Sequence, residues 1–158
     1  MKKAAAHGRR GARAETERPR PSDGVAALEA AGRRAVAAGN FDAAIRAYAQ
    51  AVAGGSTSPD VSNDLGVLLA RRGQLAAAVV HLETALLAAP DHRDARRNLL
   101  QALGTLAAAA FNEGRALDAA ACFTRLAALE PGRADHHGNA GAAWLAARLP
   151  QRALPFWN

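Results

Sequence analysis

The sequence holds a single cysteine, Cys122, and only 4% aromatic residues. One thiol excludes an internal disulfide and fits a reducing, cytoplasmic compartment. With 50% of the residues hydrophobic but so few aromatic, alanine must fill most apolar positions. Alanine favours helix and lets helices approach closely, yet each one buries little area. No charge-free apolar run approaches eighteen residues, so no membrane span is expected. Also missing are H-x3-H and C-x2-C spacings, a phosphate loop and a nucleophile elbow. These absences predict a non-enzymatic, all-α chain that carries no metal or cofactor. At 158 residues it is long enough for one domain.

What the chain has in excess is positive charge, and that charge is local. Residues 1–22 hold seven Lys and Arg against Glu15 and Glu17, which is +5 of the formal +6. The segment has too few large apolar groups to offset its ordering entropy and lacks the apolar stretch of a secretory signal. It reads as a disordered, solubilising basic arm. The alternative role, electrostatic contact with an acidic partner, membrane surface or nucleic acid, falls to this arm alone. The rest of the chain, 23–158, is nearly neutral.

That remainder is periodic. Gly32 and Gly39 recur as Gly66 and Gly73, 34 residues later. "GNFDAAIRAYAQAV" (39–52) aligns with "GQLAAAVVHLETAL" (73–86) and "GRALDAAACFTRLA" (114–127). A fourth, partial copy runs through Gly141, Trp144, Ala153 and Trp157. Before each aligned glycine, small and apolar residues such as Ser62, Leu65, Gly66 and Leu69 form one helical face. After it, Ala78, Leu82 and Ala85 alternate small with large, which suits close antiparallel packing. Gly39, Gly73 and Gly114 stand where a first helix must end. Ser58-Pro59 reads as a cap followed by proline at the first helical position, and Asn40 as a cap for a second helix.

Leu65-Gly66-x2-Leu69, Ala78-x3-Leu82 and Pro90, with Ala119-x3-Phe123 and Pro131, resemble the tetratricopeptide repeat. The resemblance covers about residues 24–158 and implies a right-handed α-solenoid of about three and a half helix pairs. The units are expected at about 25–58, 59–92, 93–133 and 134–158. The first lacks its closing proline, and Gly54-Gly55 are expected to end its last helix instead. The third is seven residues longer, because Gly73 and Gly114 lie 41 apart. Seven residues add two turns with about 20° of drift. The spacing therefore predicts one long helix over 92–113 that projects from the stack, with Gly104 a weak point inside it. The fourth unit is cut short by Pro155. Trp144, Phe156 and Trp157 are then candidates for a self-association surface, although Trp144 also suits packing within its own unit.

The resemblance further implies a concave groove that holds a peptide or a partner protein. One version of the family grips a C-terminal carboxylate with Lys, Asn and Arg on inner helices. The matching columns here hold Glu29, Arg33, Asp64, Asp94 and Asn98, and two acids where an anion would sit argue against that clamp. A second version, similar to the repeats of O-GlcNAc transferases, reads peptide backbone with an asparagine column. That column here is Ala30, Asp64, Asn98, Asn139, so Asn98 and Asn139 are candidate contacts and Asp64 could only accept. Arg33, Arg71 and Arg97 are expected on the same groove, where they would favour an acidic ligand, or else are charges on a wet helix face. Cys122 reads as an inert, buried thiol, and the adjacent His136 and His137 as a poor metal pair.

The leading expectation is a non-catalytic protein-interaction scaffold. Two rivals come from other classes. The chain could be the substrate-recruiting part of a larger glycosyl- or sulfotransferase, or a structural protein that forms homo-oligomers through its uncapped C-terminal end.

Overall fold

A computed structural model describes residues 22–157. Among them, eight α-helices follow in order: α1 (Asp23–Ala37), α2 (Phe41–Ala53), α3 (Pro59–Arg71), α4 (Leu75–Ala88), α5 (Arg93–Asn112), α6 (Ala116–Leu129), α7 (Ala134–Ala146) and α8 (Pro150–Ala153). A 3-10 turn over Leu154–Phe156 closes the series. Each helix packs on its successor, and α3 also touches α5. That neighbour-on-neighbour order is an all-α solenoid. The basic arm expected over 1–22 lies, Ser22 apart, outside the described residues.

The helix ends are set by the residues that suit them. The Ser58 hydroxyl accepts from the Val61 N–H at 3.3 Å, with Pro59 at the first position of α3. Asn40 accepts from the Ala43 N–H at 3.0 Å to start α2. Gly39, Gly73 and Gly114 take the left-handed conformation, with φ of 70°, 77° and 75°, where a Cβ is unwelcome. Gly55, with φ of 93°, does the same after α2. After α7 that conformation falls on Arg148, φ 60°, at a cost of roughly 1–2 kcal/mol for a residue with a Cβ.

Close packing explains the other recurring glycine column within the chain. A Cβ added to Gly32 would stand 2.3 Å from Tyr48 Cε1, and one on Gly66 2.7 Å from Leu82 Cγ. One on Gly141 would stand 2.2 Å from Trp157 Nε1. The missing side chains at Gly32 and Gly66 make room for the large residue of the following helix, and that at Gly141 for Trp157, just beyond the 3-10 turn. Alanine supplies about half of the buried apolar residues described, so each pair is held by few large side chains: Tyr48, Leu65, Leu82, Leu99 and Leu103 are the largest fully buried.

The long helix expected over 92–113 is α5, 20 residues where α3 and α7 have 13. It does not project as expected. Ala95 near its start and Ala110 near its end are both fully buried, with Leu99, Leu103 and Ala107 between them. The apolar stripe runs the whole length, so the extra turns find cover. Gly104, with nothing within 4 Å of an added Cβ, is a plain interior position.

Candidate functional site

The polar residues of the inner helices form a connected seam. The Tyr48 hydroxyl donates to Asp64 Oδ2 at 3.2 Å. Asn63 Nδ2 lies 3.4 Å from Asp64 Oδ1, and Asn98 Nδ2 donates to Asn63 Oδ1 at 2.9 Å. The seam thus links α2, α3 and α5. Upstream, the Ser56 hydroxyl donates to Glu29 Oε1 at 2.6 Å and ties α1 to the turn before α3. Burial raises the Asp64 carboxyl above the usual range, opposed by the hydrogen bonds from Tyr48 and Asn63. Burial, and then the Asp64 charge, push the Tyr48 phenol up to about 12. The phenol therefore keeps its proton at neutral pH and donates it to Asp64.

Beside this seam lies a cavity of about 320 Å³ between α3, α4 and α5. Val67, Ala70, Leu75 and Leu82 give it aliphatic walls, and Arg71, Asn98, Gln101 and Thr105 give it polar ones. No carboxylate lines it. The Thr105 hydroxyl donates to its own helix at the Gln101 carbonyl, 3.0 Å away, which leaves its oxygen free to accept. The Arg71 guanidinium sits over the Phe41 ring, 5.5 Å from the centroid, so its position is braced without an acid partner.

Of the residues singled out in the sequence, Asn98 and Arg71 meet at this cavity. Asp64 lies in the seam beside it, its oxygens engaged by Tyr48 and Asn63. Arg33 pairs with the largely buried Glu29 at 3.9 Å and Arg97 with the exposed Asp94 at 2.8 Å, each within its own helix. Asn139 is exposed on α7 and does not line the cavity. Asn63, Gln101 and Thr105 were not anticipated. Gln101 and Thr105 lie three and seven residues after Asn98, one helical face of α5. Asn63 is 35 residues before Asn98, one step off the 34-residue column that drew attention to Asp64.

The remaining candidates resolve into structure. Cys122 is buried, and burial raises its thiol above the usual range. His136 and His137 reach different partners, the Glu130 carboxylate at 2.9 Å and the Pro131 carbonyl at 3.1 Å. Trp144 is core rather than surface: it is 8% exposed, its Nε1 donates to Thr124 Oγ1 at 3.0 Å, and Arg152 covers its ring. Phe156 is half-buried beside the His137 ring, whereas Trp157 is 56% exposed. No described helix is long and apolar enough to cross a membrane.

The model of the tetratricopeptide repeat family matches residues 35–104, from the end of α1 to the middle of α5. Residues 35–104 carry tetratricopeptide repeats. Among solved structures, the chain is similar to MamA at 20% identity, covering 84% of this chain and 74% of that one, with a TM-score of 0.47. It is also similar to YrrB, described as a TPR protein with an unusual peptide-binding site, at 24% identity over 84% of this chain and a TM-score of 0.49. The chain spans 64% of that YrrB structure. A third is the first TPR of Spaghetti bound to the HSP90 peptide SRMEEVD, at 17% identity over 80% of this chain and 98% of that one, TM-score 0.46. No curated protein matches the chain in sequence.

Proposed function

We propose that this tetratricopeptide array is a non-catalytic interaction scaffold that holds an extended segment of a partner protein along α3 and α5. The cavity beside Asn98 carries the reading. Its polar wall offers amides and a guanidinium, and no carboxylate. Asn98 spends one N–H on Asn63; its carbonyl oxygen can accept from a ligand N–H while Gln101 can donate to the adjoining C=O. Arg71 favours an acidic side chain in the partner. Asp64, engaged by Tyr48, shapes the seam from behind. Asn139, exposed on α7 outside this cavity, is the further contact in this reading. The free, buried Cys122 fits residence in the cytoplasm.

Capture from native lysate with the wild type, Arg71→Ala/Gln101→Ala and Asn98→Ala/Asn139→Ala tests this. Each double variant is expected to lose the captured partner while its helical content stays unchanged. Unaltered capture by both removes the groove assignment.

A second reading is self-association through the last unit, which Leu154 and Trp157 favour by being 63% and 56% exposed. Light scattering that gives a monomer at high concentration eliminates it.

A further inference from the structure

We propose that His92 is a pH-sensitive latch that holds the first turn of α5 onto α3. Its Nδ1 accepts from the Ala95 N–H at 3.2 Å, which makes it the cap of α5. Its Nε2 lies 3.1 Å from Asp60 Oδ1 on α3. A carboxylate can only accept, and the Ala95 N–H can only donate. One tautomer alone satisfies both, the neutral ring with its proton on Nε2. The side chain is 14% exposed, so the ring is held in this bridging position, whereas Asp60 is 85% exposed.

Protonation removes that arrangement. The added proton goes to Nδ1 and sets a donor against the Ala95 N–H. It also places a cation at the positive end of the α5 dipole. Asp60 and Asp64 of α3 face the ring, Asp91 precedes it, and Arg93, Asp94 and Arg96 follow it on α5. Asp94 is paired to Arg97, and Arg96 reaches back to the Pro90 carbonyl at 3.4 Å. α4 ends in Leu86, Leu87 and Ala88 and brings no charge to this point. The α3 carboxylates keep the imidazolium on α3 while α5 loses its cap. The ring exchanges a cap for an ion pair. The Asn63–Asn98 bond does not titrate and lies nearly two turns farther along, so the opening is confined to the start of α5.

Histidine is the side chain whose charge ordinarily changes between about pH 5 and 8. The latch stands whether or not the groove proposed above binds a peptide, and its test needs no ligand. NMR of the full chain at pH 8 is expected to show His92 as the Nε2–H tautomer. Lowering the pH to 5 should reduce the protection of the Ala95 amide roughly five-fold, the factor a lost cap gives. His92→Asn keeps a capping oxygen without a titrating group, and its Ala95 protection should not change with pH. An Nδ1–H tautomer at pH 8 overturns the proposal. So does an equal loss of protection in the wild type and His92→Asn.

Discussion

The same residue type carries opposite consequences at Gly66 and Gly104. A Cβ on Gly66 meets Leu82 Cγ at 2.7 Å and the Ala78 carbonyl oxygen at 3.1 Å. The second of these is backbone and cannot swing aside. Gly66→Ala is therefore expected to destabilise the array by about 1–3 kcal/mol. Gly104 sits inside α5 with open space around it, and Gly104→Ala should stabilise by about 1 kcal/mol through helix propensity. Urea unfolding of the two variants checks both signs. Asp64 gives a prediction in pH. Its carboxyl titrates above the usual value in the fold, so as pH rises past about 4 the unfolded chain gives up this proton first. Stability then falls through that window and stays lower at neutral pH. Asp64→Asn has no such step. It should be more stable than the wild type at pH 7, and the difference should close as the pH drops below about 4. A difference that persists at pH 3 would assign the effect to packing. The glycine column was legible in the sequence because a 34-residue period put Gly32 and Gly66 in register. The Asn63–Asn98 contact was not, because it joins neighbouring columns, and only the helix crossing decides which of two adjacent polar residues faces the partner.

At the scale of the element, caps and length were the readable features, and depth was not. Asn40 and Ser58 are short oxygen-bearing side chains ahead of apolar periodicity, and both cap. His92 does the same work without belonging to the residue types that favour the position, which is why the sequence did not show it. The five other described α-helices begin without such help. Gln74 stands at the start of α4 with no side-chain cap, where the aligned residue before α2 is Asn40. Asn40→Ala is expected to cost about 1 kcal/mol, and Gln74→Asn to gain several tenths. Thermal unfolding of the two variants measures both; a Gln74→Asn variant no more stable than wild type would mean that the turn cannot aim the shorter amide. The seven extra residues of α5 were readable as two turns, since the spacing of Leu99, Leu103, Leu106 and Ala110 continues one face. That the helix lies against the stack along its whole length was not. Spacing specifies a face, but whether a neighbour covers it depends on how α6 and α7 turn in space.

In the whole molecule, stability in such an array is close to a sum of unit terms and contacts between neighbours. The three buried clusters divide accordingly, one spanning α1 to α4, one α4 to α6 and one α5 to α8. The last is the thinnest. Apart from Trp144, its fully buried members are all alanine, and α8 has four residues where the second helices before it have 13 or 14. Trp157 packs on Gly141 yet stays largely exposed, and Arg148 adds a left-handed residue with a Cβ. Four weaknesses thus fall on one unit. Hydrogen exchange across the chain should show amides of α7 and α8 opening well before those of α3 and α4, by local rather than global unfolding. Arg148→Gly relieves one weakness without touching a packed side chain. It should slow exchange in α7 by five-fold or more, the factor equivalent to about 1 kcal/mol. Because contacts pass only between neighbours, α3 should be unaffected. Equal protection from α1 to α8, or a change in α3 as large as that in α7, would show the array opening as one cooperative body.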